Sequence, residues 1–363
     1  MLSGMTLNEK RLYDTPLVST ALDRGKKLIT PYFWMSFIMY PVWFITYKII
    51  ASTKATIFQM FKGILYSNDA GFEAGTSNAL WFLLTLFLAI VLYAALVKLS
   101  KNNDAVMTVS IVLCAIIGYL EAGKHQVWHF NVAFTAVVFM YIGNRIMKLY
   151  HSNREWFDSR RNPGKYILIL ILCAVGYFAH KQNGRISMAA NKFGESVLLY
   201  YISALAFSFA IILAVIILPR ISLFEYVGKN TLLYVGFHVP FIRIFERAFP
   251  EIKESVPVSL ILGIGVYLAM IPVCAVFNRF FPYVCSKTPL KGRIGGVEAG
   301  KYFIAYVSLI IPVYGVYQKL GLSLSKPVTA IAVAGATVFG ALVFTIIANR
   351  FFPFIYLQDK KSQ

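Results

Sequence analysis

The chain is short of charge, and of negative charge above all. Only 14% of its 363 residues are Asp, Glu, Lys or Arg, and just 16 are acidic. A water-facing globule carries about a quarter charged residues, so a soluble enzyme of this length is excluded. Histidine is scarce at five residues and cysteine scarcer at four. Cys114, Cys173, Cys274 and Cys285 form no CxxC pair, which argues against a disulfide framework and against a zinc site. No Walker A, GxSxG, HExxH or paired-carboxylate signature is present, so the common nucleotide, serine-hydrolase and zinc-protease chemistries have no foothold. The first 31 residues hold five basic residues and no apolar core, so no signal peptide is expected.

What fills the chain instead is apolar. Hydrophobic residues make up 58%, and they come in continuous runs at 32–50, 80–97, 105–120, 130–144, 166–179, 196–218, 230–246, 256–277, 302–318 and 327–348. A helix needs about 20 residues to cross the hydrocarbon core. A closed β-barrel would need alternating segments of about ten, and these runs do not alternate. The expectation is an all-α protein, a polytopic transmembrane helix bundle of about ten spans, with membrane lipids around it.

The net charge is +19. In a membrane chain that excess sets topology and touches anionic headgroups, and no nucleic acid is expected as a partner. With ten spans, the segments on one side carry 23 Lys and Arg and those on the other carry 12. The asymmetry predicts a cell-membrane protein with both termini cytoplasmic. The densest segment, Arg145 to Lys165, has six basic residues. It reads as a positive-inside anchor, with an anionic-donor site as the other reading.

The end of the chain echoes the part before it. GKNTLLYVGFHVP at 228–240 lines up with GKYFIAYVSLIIP at 300–312, and NRFFP at 278–282 recurs at 349–353. We read this as a two-helix unit, 228–286, duplicated into an extension, 287–363, that has lost polar groups: Ile310 replaces His238, and Tyr302 replaces Asn230. The copies are parallel, separated by an even number of spans.

Ionisable side chains inside a membrane are costly, so each is a functional candidate. His238 lies near the middle of the 230–246 run and could serve as acid or base near neutral pH. A hydrogen bond to a neighbouring helix is the plainer alternative. Asn230 and Thr231 read as a helix N-cap; Arg243 reads as an interface residue or a partner of Glu246. Ahead of the first span stand Arg24, Lys26 and Lys27, with Pro31 suited to a first helical turn. A helix N-terminus with cations could hold a phosphate there, or the cluster could simply anchor. Two loops on the outer side are polar. His125 and His129 have the i,i+4 spacing of a helical metal pair, but no third ligand is near, Trp128 suits an interfacial belt, and no metal is expected. The loop 181–195 carries Arg185, Ser187, Asn191 and Lys192, which would suit a polyhydroxylated acceptor or merely solvent.

Several stretches together resemble one family. LSGMTLN (2–8), RGKKLITPYFW (24–34), ALWFLLTLFLA (79–89), YIGNRIMK (141–148) and EYVGKNTLLYVGFHVP (225–240) are similar, in order, to motifs of the integral-membrane acyltransferase family 3, which includes sugar O-acetyltransferases. The likeness runs from residue 2 to about 286 and implies a membrane domain over 1–286. It implies transfer of an acyl group, usually acetyl, from cytoplasmic acyl-CoA to a hydroxyl of a glycan or glycolipid, with no further cofactor. It implies acyl-donor binding by Arg24 and Lys27, the second of these replacing the family's arginine and losing its two-pronged grip. His238 falls in the family's later helix and is the catalytic candidate; Arg185 and Asn191 are the acceptor-binding candidates. The family's first helix, with an Arg and a His about ten residues apart, has no counterpart after Met1. The resemblance therefore implies either an N-terminally truncated enzyme or a non-catalytic relative. A transporter or flippase of amphiphilic saccharides is the alternative from another class, and paired broken helices would favour it.

Overall fold

The computed structural model describes residues 1–43, 56–67, 79–159, 162–248, 256–285, 287, 294–321 and 326–356. The regular structure among these residues is helical. No strand occurs among them, only one isolated bridge between Ser187 and Lys192. The α-helices are α1 (Leu2–Met5), α2 (Glu9–Asp14), α3 (Leu17–Trp43), α4 (Ile57–Tyr66), α5 (Trp81–Ser100), α6 (Asp104–Leu120), α7 (Phe130–Ser152), α8 (Arg154–Asp158), α9 (Pro163–Asn183), α10 (Val197–Ile217), α11 (Ser222–Lys229), α12 (Thr231–Ala248), α13 (Val256–Phe280), α14 (Ile294–Lys319) and α15 (Lys326–Phe351).

Seven of the described helical stretches are long and apolar enough to cross a membrane: α5, 127–152, α9, α10, and most of α13, α14 and α15. Two more, α6 and the Thr231–Ile242 part of α12, are apolar but shorter. The first expected span, 32–50, begins inside α3 and runs beyond Trp43 into residues outside the described set. Large apolar side chains stay exposed along the helices. Leu170 on α9, Ile261 on α13 and Phe339 on α15 are each 69% exposed, as suits helices that face hydrocarbon rather than water. The chain is an all-α, multi-pass membrane protein.

Two compact units interleave in sequence: Met1–Arg24 with Leu84–Glu225, and Gly25–Leu83 with Tyr226–Gln363. In the first, short side chains let helices close up. A Cβ on Gly4 would lie 2.0 Å from the Met140 carbonyl oxygen, so only glycine lets α1 lie against α7. Charge holds one end of this unit. Arg145 grips Asp104 with two bonds, at 2.6 and 3.2 Å, and Glu9 accepts from Tyr93 at 2.7 Å and from Lys148 at 2.6 Å. The fully buried Lys165 donates to the Phe157 and Ser159 carbonyls. Arg145, Lys148 and Lys165, half of the six basic residues in the 145–165 segment, thus have internal partners.

In the second unit, Trp34 of α3 is the central packing residue. Its indole Nε1 donates to the Ile355 carbonyl at 3.0 Å, and its ring meets those of Tyr283 and Tyr356 at 5.5 and 5.6 Å. Tyr283 and Tyr356 lie in 3₁₀ turns, Pro282–Cys285 and Pro353–Tyr356, that follow α13 and α15. The two echoing segments therefore share a layout: a helix containing a proline (Pro240 or Pro312), a second helix, then a turn opening on proline.

Pro31 differs from its expected place. It lies in the interior of α3, which begins fourteen residues earlier at Leu17. Arg24 and Lys27 consequently sit inside a helix and not at its N-terminus, so a phosphate held there would have their charges but no free amide ends.

Candidate active site

The site grows from one helix of the second unit. α12 packs its small and aromatic face inward: a Cβ on Gly236 would lie 2.7 Å from Met35 Sδ of α3, and Phe237 meets Phe277 of α13 with ring centroids 4.6 Å apart. Tyr234 lies against Tyr267 at 5.3 Å, and its hydroxyl donates to the Tyr267 carbonyl at 3.1 Å. These contacts fix the rotation of α12 about its axis and present His238, half-buried, to a cavity of about 470 Å³. Thr231, Tyr234, Ser259, Gly263 and Tyr267 line it together with aliphatic side chains.

His238 is oriented by its own helix. Its Nδ1 lies 2.7 Å from the Tyr234 carbonyl oxygen and 3.1 Å from that of Val235. A carbonyl only accepts, so Nδ1 carries the hydrogen, and in the neutral imidazole Nε2 is the nitrogen with the lone pair. Nε2 is therefore the nitrogen that could act as a general base.

At the start of α12 a second polar group forms. Asn230, buried, donates through Nδ2 to the Tyr226 carbonyl at 2.9 Å. Its Oδ1 accepts from Asn278 Nδ2 at 2.7 Å and from Lys287 Nζ at 2.9 Å. Lys287 also donates to Asn278 Oδ1 at 2.7 Å. Sequence reasoning took Asn230 for an N-cap and missed Lys287. The partners lie 48 and 57 residues from Asn230 along the chain, and only the recurring NRFFP hinted at Asn278.

The other candidates stand elsewhere. Arg24 and Lys27 are three residues apart on α3, with Arg24 half-buried and Lys27 exposed. Arg185 is exposed in the loop after α9. Asn191 in that same loop is buried, with a left-handed φ of 47°. Its Nδ2 donates to the Gly118 and Glu121 carbonyls at 2.8 and 3.3 Å, and its Oδ1 accepts from Thr135 at 3.1 Å. The Asn191 amide thus holds the loop onto α6 and α7. Phe193 pins the loop from the other side, among Phe139 and Tyr200. The histidine pair does not stand on a helix. α6 ends at Leu120, and Trp128 and His129 both take left-handed φ, 57° and 51°. His129 turns inward, its Nδ1 3.1 Å from the Ala189 carbonyl oxygen, while His125 is exposed.

A polytopic helical protein with a histidine, oriented by its own apolar helix, beside a cavity is the class these features define. A family model described as an acyltransferase domain matches residues 1–279, and the chain belongs to this family, acyltransferase family 3. No curated protein and no solved structure matches it.

Proposed function

We propose that this membrane acyltransferase moves an acetyl or other short acyl group from acyl-CoA to a hydroxyl of a glycan or lipid-linked sugar, with His238 as the base. The observation that carries the reading is His238 itself, which lines the cavity between α12 and α13, its Nδ1 held by helix carbonyls and its Nε2 without a hydrogen-bond partner among the described residues. A sugar hydroxyl is a weak nucleophile. As its oxygen bonds to the thioester carbonyl carbon, its proton passes to Nε2. The carbon–sulfur bond then breaks, and the imidazolium returns the proton to the departing thiolate. The products are the ester and free CoA, and the histidine is regenerated.

Arg24 and Lys27 supply charge for the donor's phosphates from the helix surface of α3. Arg185, exposed in a loop that Asn191 holds in place, is the cation we assign to acceptor binding. The enzyme sits in the cell membrane with both termini in the cytoplasm, in line with its charge asymmetry.

The test compares the two echoing segments. In membranes from cells expressing the protein from its own locus, transfer of radiolabelled acetyl from acetyl-CoA to endogenous acceptors is measured alongside expression level. His238→Ala should lower transfer by roughly 10²–10⁴-fold, and Ile310→Ala, at the equivalent position of the copy, should leave turnover per molecule unchanged. Full turnover by His238→Ala at normal expression returns His238 to a packing role.

A further inference from the structure

The echoing segments each close the end of a helix pair on a lysine, and they treat its charge differently. In the C-terminal copy Lys301 is 1% exposed. Its Nζ meets the Glu298 carboxylate at 2.5 Å and Asn349 Oδ1 at 3.1 Å, and it lies 4.6 Å from the centre of the Tyr356 ring. That ammonium is neutralised and sealed in.

In the first copy Asn278 stands at the position of Asn349, but the cation bonded to it is Lys287 and not Lys229, the residue aligned with Lys301. Here the partners are two neutral amide oxygens, Asn230 Oδ1 and Asn278 Oδ1. Both amides are oriented by other bonds: Asn230 Nδ2 is held by the Tyr226 carbonyl, and Asn278 Nδ2 by Asn230 Oδ1. Lys287 is half-buried, and among the described residues no carboxylate pairs with it. An ammonium has three donors. Two are spent on the amides, and one remains along with the full charge. Holding a cation in a fixed place with dipoles instead of a carboxylate leaves its field uncancelled.

We infer that Asn230, Asn278 and Lys287 form a binding site for the phosphate group of an amphiphilic ligand. Phosphate suits a compact ammonium point charge. The amphiphilic part rests on the neighbourhood: Val227, three residues before Asn230, and Thr231, the residue after it, line the apolar α12–α13 cavity. The inference stands apart from the role of His238, because it needs no turnover.

The experiment uses the full chain, purified, with thermal unfolding as the readout. The two probes are inorganic pyrophosphate in detergent and phosphatidate in phosphatidylcholine nanodiscs. Either probe should raise the unfolding midpoint of the wild type. Stabilisation by phosphatidate, with or without pyrophosphate, supports the amphiphilic ligand; stabilisation by pyrophosphate alone assigns a water-soluble phosphate and overturns the amphiphilic part. Lys287→Gln should weaken binding by about tenfold or more, and Lys287→Arg should retain it. Asn278→Asp supplies the carboxylate that Glu298 supplies in the copy, so it should fold at least as well as wild type and lose the response. It keeps the test readable if Lys287→Gln does not fold. No stabilisation of the wild type by either probe, or an undiminished response in Asn278→Asp, overturns the site.

Discussion

At the scale of single residues, polarity in the sequence marked places without marking jobs. His238 was legible because an ionisable side chain inside an apolar run is rare and costly. Its tautomer was not, because that depends on the helical carbonyls of Tyr234 and Val235. Asn191 looked like an acceptor contact in a polar loop, yet its amide reaches back to Gly118 and Thr135, 73 and 56 residues away. Removing it leaves these buried groups unpaired and puts alanine in a left-handed conformation that asparagine tolerates better. Asn191→Ala should destabilise the protein by about 1–3 kcal/mol, read as a lower unfolding midpoint in detergent. Acyl transfer per folded molecule should persist. An unchanged midpoint would mean that the loop is held by Phe193 alone.

At the scale of elements, hydropathy located most helices but misjudged some ends. Proline at a first turn is a sound local rule, and it failed at Pro31 because α3 starts at Leu17 and carries both Pro31 and Pro41 inside it. The i,i+4 spacing of His125 and His129 marks no helix face for a related reason: spacing along the chain implies such a face only where a helix exists, and the chain between α6 and α7 turns left-handed at Trp128 and His129. Close helix contacts were also invisible, since glycine in an apolar run serves equally as a contact point or as open space. The structure separates the two. A methyl group on Gly4 would strike the Met140 backbone, whereas one on Gly263 meets nothing within 4 Å. Gly4→Ala should therefore cost about 1–3 kcal/mol by forcing α1 from α7. Gly263→Ala should be neutral or stabilising by up to about 1 kcal/mol, since alanine is the better helix former. Thermal unfolding of the two variants side by side checks both signs, and equal destabilisation would contradict this packing.

At the scale of the whole molecule, fold class and family were both readable. So few charges on so many apolar runs admit only a membrane bundle, and five ordered motifs pointed to the family whose model matches residues 1–279. The echo was readable from NRFFP. Its physical content, two helix pairs that each close on a lysine through an equivalent asparagine, needed the structure. The excess of basic residues on one side predicts that both termini are cytoplasmic. Single cysteines introduced at Lys10 and Lys361 should resist a membrane-impermeant maleimide in intact cells and react after permeabilisation. Labelling of either in intact cells would reverse the orientation.

The central claim is that the cavity beside His238 is where the acyl group changes hands. Gly263 lines that cavity, and a side chain there grows into open space. Gly263→Phe should fill it without displacing α12 or α13. The decisive measurement is acetyl transfer from acetyl-CoA by Gly263→Phe, with expression and unfolding midpoint recorded on the same preparation. The account predicts transfer at background with both controls at wild-type values; wild-type turnover from a protein whose cavity is filled would contradict it.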